Sequence, residues 1–423
     1  MLLTYALLGH MRRSVRLAPD RLRALQERRL RALVRHAYEE VPYYRRLMDA
    51  AGVGPDDVRT ADDLPRLPFT TKDLLRRTPL ADLLARGVTP GRCAVLESSG
   101  SSGTPLRVYK RPREERFRRA VGLRILLEHG FRWRNRSAQF QQRAGPAVWL
   151  QRLGVGRKHW ISTSLGVETQ IRLLAAARAQ VVIGPPTALR AVARAADAAG
   201  LTLAPARIVV AAGELLDPAT RALVRRVLAA DPVAVYGTTE MGYLAWQCER
   251  RAGLHVSADT HLIELLRGET PAPAGTLGEI VVTDLVARAM PLVRYRTGDL
   301  AVAPLAQCPC GRSLPLLVAH GGRLAGTLQL PGGRLVTAAD VVGALDGMCR
   351  LGTFVVVQDV LDAVRLELLP APDGPDEPAA ARALAALGQL VAPLRVAATR
   401  AGTMPGAGTG KTPIVLSRLP APF

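Results

Sequence analysis

The sequence predicts an α/β fold, with a large layered N-terminal α/β domain and a small mobile α+β C-terminal domain. The first observation is an alternation of alanine-rich helical segments with short β-branched runs in the middle of the chain. Alternation of this kind is typical of strands and helices packed in layers. The predicted helices cover residues 171–180, 188–199 and 218–228, and the predicted strands cover residues 181–183, 207–210 and 233–236.

The second observation concerns the first part of the chain. Apolar residues recur at spacings of three to five over residues 21–38, which predicts an amphipathic helix. Val41-Pro42 ends this helix, and a second one is predicted over residues 43–51. Two prolines in residues 65–68 then favour extended chain.

The third observation is a change of organisation near residues 316–322. The remaining residues carry strands of their own at 353–358 and 363–369 and a helix at 379–391. We therefore expect two domains, residues 1–319 and residues 320–423. A glycine-rich stretch at residues 404–412 is predicted to be a mobile loop.

Composition narrows the class of protein. Of the 423 residues, 48% are hydrophobic and 22% are charged, which is typical of a globular protein. The formal net charge of +21 could attract nucleic acid, but the basic residues are spread along the chain, so no nucleic-acid partner is expected. Residues 1–10 are apolar but too few to span a bilayer, which takes about 20 apolar residues, so no membrane span and a cytoplasmic location are expected.

The most informative motif is Glu-Ser-Ser-Gly-Ser-Ser-Gly-Thr-Pro at residues 97–105. Glycines let the backbone approach a phosphate closely, and the amide groups and hydroxyls can surround its oxygens. A flexible serine/glycine linker would have the same composition. The motif lacks the Gly-Lys-Ser/Thr ending of the common P-loop, so by itself it leaves both interpretations open.

Two further motifs favour a nucleotide site. Tyr-Gly-Thr-Thr-Glu at residues 236–240 places hydroxyls and a carboxylate at a strand end, where α/β proteins hold ligands. Residues 291–299 end in Asp299 after a tight turn, and a carboxylate there can accept hydrogen bonds from both ribose hydroxyls.

With Val41-Pro42-Tyr43-Tyr44, residues 67–72 and Gly410-Lys411, these motifs make the sequence resemble the adenylate-forming acyl-CoA synthetases. The resemblance covers nearly the whole chain and is strongest to the branch of phenylacetate-CoA ligases, deazaflavin-coenzyme adenylylating ligases and capsule-biosynthesis-type adenylating proteins. It implies ATP-dependent conversion of a carboxylic acid to acyl-AMP with release of pyrophosphate, and then acyl transfer, with CoA as the expected second substrate.

The resemblance also implies a role for each site residue. The loop that orders over the ATP triphosphate would consist of Ser98, Ser99, Gly100, Ser101, Ser102, Gly103 and Thr104. The other roles are Gly213, Glu214 and Tyr236 along the adenine, Gly237 and Thr238 in the nucleotide motif, Thr239 at the phosphates, Glu240 on Mg²⁺, and Asp299 with Arg323 at the ribose. Lys411 would reach the α-phosphate and the substrate carboxylate, where a flexible ammonium neutralises charge.

Four cysteine and histidine side chains indicate a metal-binding site. Five cysteines in a chain of this length do not form a disulfide framework, whereas grouped cysteines in a reducing compartment bind metals. Cys248, His255, Cys308 and Cys310 would complete a tetrahedral zinc shell with no open position, and this branch has a similar arrangement, so the site would be structural. The alternative is four unrelated buried side chains.

One position departs from the family pattern. An acidic hinge residue usually follows Gly322-Arg323, but here the chain reads Leu-Ala-Gly, with Ala325 at the hinge position. An alanine cannot make the polar contacts of a carboxylate, which leaves the acceptor open. The activated acid could pass to CoA, or to an amine or hydroxyl, and it could be an inorganic acid such as nitrite. A non-catalytic nucleotide-binding relative is the non-enzyme alternative, and the oligomeric state stays open.

Overall fold

The computed structural model describes residues 8–9, 11–97, 105–142, 151, 156–345, 353–369, 377–400, 414–420 and 422. The helices before the central strands are α1 Pro19–Glu40, α2 Pro42–Ala50, α3 Lys72–Arg77, α4 Leu80–Leu83 and α5 Pro112–Glu128. Short 3-10 turns lie at Pro55–Asp57, Ala61–Arg66 and Pro90–Arg92. The strands between them are β1 Ala94–Glu97 and β2 Arg107–Lys110.

The first helix follows from its sequence. Pro19 occupies the first turn, where no intrahelical N–H is needed, and the helix ends before Pro42. The apolar face predicted over residues 21–38 is buried, with Leu30 and Leu33 fully so. The predicted extended chain over residues 65–68 begins only at Leu67, because Pro65 and Arg66 complete the 3-10 turn that the Asp63 carboxylate caps. The prediction was therefore wrong for those two residues.

The central elements are strands and helices, which alternate as predicted from residue 167 onward, whereas the two strands before that residue were not predicted. They are β3 Ser137–Gln141, β4 Lys158–Ser162, α6 Val167–Ala177, β5 Val181–Gly184, α7 Pro186–Ala198, β6 Ile208–Ala212, α8 Pro218–Leu228 and β7 Val233–Thr238. Strands β4, β3, β5, β6 and β7 pair in parallel in that order. Val181 packs in one hydrophobic core and Val182 in another, so consecutive side chains of β5 face helical layers on opposite sides of the sheet.

An antiparallel half continues the same sheet. Its strands are β8 Gly242–Gln247, β9 Leu254–Val256, β10 His261–Arg267, β11 Thr270–Pro271, β12 Leu277–Asp284, β13 Tyr295–Val302 and β14 Leu316–Arg323. The order across all twelve strands is β11-β10-β12-β13-β14-β9-β8-β7-β6-β5-β3-β4. The sequence reasoning did not predict this half.

The C-terminal elements form a smaller unit with its own core. They are a 3-10 turn Leu324–Gly326, β15 Thr327–Gln329, a 3-10 turn Pro331–Gly333, β16 Leu335–Thr337, α9 Ala338–Ala344, β17 Thr353–Val360, β18 Ala363–Leu369, α10 Glu377–Val391, β19 Arg395–Arg400 and β20 Val415–Ser417. The strands pair in the order β19-β18-β17-β20, and Val356, Leu366 and Leu387 are among the buried residues.

The predicted α/β fold with a smaller C-terminal α+β part is confirmed. The proposed boundary between residues 319 and 320 falls inside β14, which pairs with β13 as far as Arg323. Among the described residues, no helix is both long enough and apolar enough to cross a membrane.

Candidate functional site

Two predicted motifs lie side by side at the carboxyl edge of the parallel strands. Ala212 of β6 pairs with Val235 of β7, so Gly213 and Tyr236 follow at the same edge. Gly213 has φ +88°, a left-handed conformation that glycine adopts without strain. The Glu214 carboxylate accepts a hydrogen bond from a backbone N–H at the start of α7, 3.1 Å away. This edge is where open α/β sheets bind ligands.

The turn from β7 to β8 explains the glycine of the second motif. A Cβ on Gly237 would lie 2.3 Å from the carbonyl oxygen of Gly242, so no other residue fits there. Thr238 Oγ1 accepts a hydrogen bond of 3.3 Å from the backbone N–H of Met241, which closes the turn. Thr239 is exposed at the tip, whereas Glu240 is only 7% exposed.

The Glu240 carboxylate is held from two directions. The Tyr295 hydroxyl donates a hydrogen bond of 3.3 Å to Oε1, and the Lys72 ammonium lies 4.0 Å from the same oxygen. Lys72 begins α3, whereas Tyr295 begins β13. Three distant parts of the chain therefore meet at one carboxylate.

The Asp299 carboxylate lies beside this group. Oδ2 accepts a hydrogen bond of 2.9 Å from the Tyr236 hydroxyl, and Oδ1 lies 3.3 Å from Nε of Arg323, which faces it across β13 and β14. Burial raises the pKa of Asp299, and the charge of Arg323 and the Tyr236 hydroxyl oppose that rise. A half-buried carboxylate with a neighbouring guanidinium can accept hydrogen bonds from the hydroxyls of a sugar.

The structure places most of the predicted nucleotide residues together at the carboxyl edge of the parallel strands, a region that we call the cleft. They are Gly213, Glu214, Tyr236, Gly237, Thr238, Thr239, Glu240, Asp299 and Arg323. The predicted phosphate loop at residues 98–104 and Lys411 lie outside the described residues. The sequence reasoning assigned no role to Lys72 or Tyr295, although both stand in motifs that it singled out.

The predicted metal ligands also converge. Ligand atoms of Cys248, His255, Cys308 and Cys310 all lie within 4.8 Å of one another. Cys248 Sγ is 3.6 Å from Cys308 Sγ, and Cys310 Sγ is 3.3 Å from His255 Nε2. A tetrahedron with zinc–sulfur bonds of about 2.3 Å has edges of about 3.8 Å, so these separations suit a single ion.

The surroundings of this cluster also fit a metal. His255 Nδ1 lies 3.3 Å from the carbonyl oxygen of Leu314, a bond that places the proton on Nδ1 and leaves Nε2 to face the cysteines. The backbone N–H of Arg250 donates a hydrogen bond of 3.3 Å to Cys248 Sγ. The cluster joins the end of β8, the strand β9 and the loop before β14, so a metal there would tie three strands together.

The protein has an α/β fold with polar side chains gathered at the carboxyl edge of its parallel strands, the edge where such folds bind ligands. No protein-family model matches the sequence. The phenylacetate-coenzyme A ligase of Thermus thermophilus is 32% identical over 314 residues, which cover 70% of this chain and 68% of that enzyme. The phenylacetate-coenzyme A ligase of Aromatoleum evansii is 31% identical over 333 residues, 72% of this chain and 73% of that enzyme.

Among solved structures, a 2-hydroxyisobutyryl-CoA ligase in the postadenylation state superimposes with a TM-score of 0.75. The match covers 93% of this chain and 89% of that chain at 19% identity, which shows a shared fold. On the sequence relationships, the chain belongs to the phenylacetate-coenzyme A ligase family. It is an enzyme of the adenylate-forming ligase class, as its motifs predicted.

Proposed function

We propose that the protein activates a carboxylic acid with ATP and passes the acyl group to CoA. In the first step a carboxylate oxygen attacks the α-phosphorus, and the bond to pyrophosphate breaks. In the second step the thiolate of CoA attacks the acyl carbon, and AMP leaves with the bonding electrons. The observation that carries the proposal is the hydrogen bond between Tyr236 and Asp299, which joins two nucleotide motifs in one cleft of a family member.

Each residue of the cleft has a proposed role. Asp299 and Arg323 bind the ribose hydroxyls, and Gly213, Glu214 and Tyr236 line the adenine. Glu240 binds Mg²⁺, for which a carboxylate is the fitting hard ligand, and Thr239 contacts the phosphates. Mg²⁺ supplies charge neutralisation to the phosphates when it is bound. On the basis of the sequence, residues 98–104 surround the ATP triphosphate in this proposal, and Lys411 contacts the α-phosphate and the substrate carboxylate.

We also propose that Cys248, His255, Cys308 and Cys310 bind one structural zinc. The support is the closed set of three sulfurs and one imidazole nitrogen at tetrahedral separations. Because no ligand position stays open, this ion takes no part in the chemistry.

The residue at the hinge position bears on which molecule accepts the acyl group. Ala325 is exposed in the turn that follows Arg323 and offers no carboxylate at the hinge position. This observation favours an amine or hydroxyl as a second candidate acceptor. We also propose that residues 320–423 form the mobile domain that carries Lys411.

Acid-dependent exchange of labelled pyrophosphate into ATP tests the first step. Phenylacetate is the first acid to try, since the curated relatives are named for it. Thioester formation is then measured with CoA, and amide or ester formation with an amine or alcohol. Binding of ATP without exchange for any acid would support a non-catalytic nucleotide-binding protein instead.

Lys411→Ala tests the chemistry more sharply. Loss of a transition-state charge contact costs about 100-fold or more in rate, so exchange should fall by that factor. Arg382→Ala is the matched control, because it removes one positive charge from an exposed position on α10. Wild-type exchange by Lys411→Ala would remove Lys411 from the mechanism.

A further inference from the structure

Lys72 lies in the cleft because a short N-terminal segment is fixed against β13. The backbone N–H of Thr70 donates to the carbonyl of Arg294 over 3.0 Å, and the N–H of Arg296 donates to the carbonyl of Thr70 over 2.9 Å. The guanidinium carbons of Arg294 and Arg296 lie 4.1 Å and 4.9 Å from the centre of the Phe69 ring. These contacts hold the segment beside the strand that carries Tyr295 and Asp299.

The start of α3 then points a cation into the cleft. Thr71 Oγ1 accepts a hydrogen bond of 3.2 Å from Leu74, which fixes the helix to begin at Lys72. The Lys72 side chain is 24% exposed, and its ammonium lies 4.0 Å from Glu240. That separation exceeds a hydrogen-bond length, so the ammonium is ion-paired with the carboxylate but donates no hydrogen bond to it.

Charged groups of both signs act on the Lys72 ammonium. The carboxylates of Glu240 and Asp299 attract it, whereas the guanidiniums of Arg76 and Arg323 repel it. Burial lowers the pKa of Lys72, and Glu240 is the principal group that opposes this. Because these two guanidiniums repel the Lys72 ammonium, a further anion beside it would stabilise its charge.

We infer that Lys72 is a phosphate-binding residue that contacts the β- and γ-phosphates of ATP beside Glu240. The inference rests on the adenylation proposed above. Glu240 is the proposed Mg²⁺ ligand and Asp299 the proposed ribose ligand. Because the Lys72 ammonium interacts with both carboxylates, it faces the proposed position of the polyphosphate. A lysine ammonium is a flexible point charge that suits phosphate oxygens. Lys72 belongs to the large domain, so it can hold these phosphates independently of Lys411.

Lys72→Met tests this role through the kinetics of ATP. Loss of a charge-assisted hydrogen bond to phosphate should lower kcat/KM for ATP in pyrophosphate exchange about 10- to 100-fold. The KM for the acid should stay within about two-fold. Lys72→Arg, which keeps the charge, should recover part of the loss. Arg77→Met, at an exposed position of the same helix, is the control and should behave as wild type.

Direct binding separates a phosphate contact from support of the pocket. Calorimetry without acid should show weaker binding of ATP to Lys72→Met and unchanged binding of AMP, which lacks the β- and γ-phosphates. Equal weakening of both nucleotides, or wild-type kinetics in Lys72→Met, would overturn the inference. If Lys72→Met does not fold, Lys72→Gln serves for the same measurements. Failure of the wild type to bind ATP or to catalyse exchange would instead overturn the proposed adenylation.

Discussion

The Tyr236 hydroxyl donates a hydrogen bond of 2.9 Å to Asp299 Oδ2 across 63 positions of sequence. Tyr236 belongs to the parallel half of the large sheet, and Asp299 belongs to its antiparallel half. The bond therefore joins the two halves at the carboxyl edge of the parallel strands. A change at either residue should affect both the cleft and the packing of the two halves.

Asp299→Asn should greatly weaken adenylation. The amide keeps one oxygen acceptor but loses the charge, so it pairs poorly with Arg323 and with ribose hydroxyls. We expect kcat/KM for ATP to fall about 10- to 100-fold in pyrophosphate exchange. Asp56→Asn, an exposed carboxylate paired with Arg35, is the matched control. Unchanged exchange in Asp299→Asn would remove this carboxylate from the nucleotide site.

The Asp299→Asn variant should gain stability relative to the wild type as the pH rises to neutral. Burial raises the pKa of Asp299 above the ordinary 3.8, so between these two values the folded protein binds more protons than the unfolded chain. The free energy of unfolding contributed by this group therefore falls as pH rises through that window, and the deficit persists above it. Asparagine does not ionise.

Urea unfolding at about pH 4 and about pH 7 measures this effect. The free energy of unfolding of Asp299→Asn minus that of the wild type should be larger at about pH 7 than at about pH 4, which means that the variant gains relative stability at the higher pH. Asp56→Asn should show no such trend, because Asp56 is exposed. A pH-independent difference for Asp299→Asn would contradict the raised pKa.

Removal of one metal ligand should release zinc and destabilise the fold. Elemental analysis should find about one zinc per wild-type chain and less than about a tenth in Cys310→Ser. The melting temperature should fall by several degrees, since the cluster ties β8, β9 and the loop before β14 together. Cys93→Ser is the control, because Cys93 lies outside the cluster. Absence of zinc from the wild type would leave four grouped but unligated side chains.

Ala325→Asp should change acyl transfer more than adenylation. If the proposed small domain rotates after adenylation, only the second half-reaction needs the rotated state, so a new carboxylate at the proposed hinge should act mainly on that step. Pyrophosphate exchange without acceptor measures the first step, and transfer to CoA or an amine measures the second. Ala274→Asp introduces the same charge at another exposed turn as a control. Equal effects on both steps, or none, would show that position 325 is not the hinge.

Lys110→Met should destabilise the folded protein, because it breaks a buried ion pair. Lys110 Nζ lies 2.7 Å from Asp284 Oδ2, and both side chains are buried. Burial opposes ionisation of Asp284, but the charges of Lys110 and His261 overcome it and lower its pKa to about 2. Removing the cation leaves a buried charge unpaired, which costs about 3–5 kcal/mol.

Urea unfolding at neutral pH measures this loss. Asp284 contributes stability above its ordinary pKa of 3.8 that is lost as pH falls through about 2, so the wild type should lose it in strong acid. Arg395→Met removes an exposed cation paired with Asp362 and should cost less than about 1 kcal/mol. Equal costs for the two variants would contradict the importance of the buried pair.

Sequence alone determined the features that depend on local pattern. The period of apolar residues predicted α1, and the alternation of β-branched and alanine-rich runs predicted β5 to β7 with their helices, because neighbours in sequence share one face of an element. The order of motifs indicated the family, and residue type together with that resemblance indicated the four possible metal ligands.

Only the tertiary structure decided which distant residues meet. No local period indicates that β14 pairs with both β13 and β9, or that Thr70 bonds to the chain beside Tyr295. Lys72 reaches Glu240 because long-range contacts, the backbone pairing of Thr70 among them, place α3 beside β13. Pairing and register between strands far apart in sequence depend on packing of the whole sheet, whereas helix and strand patterns depend on the residues within each segment.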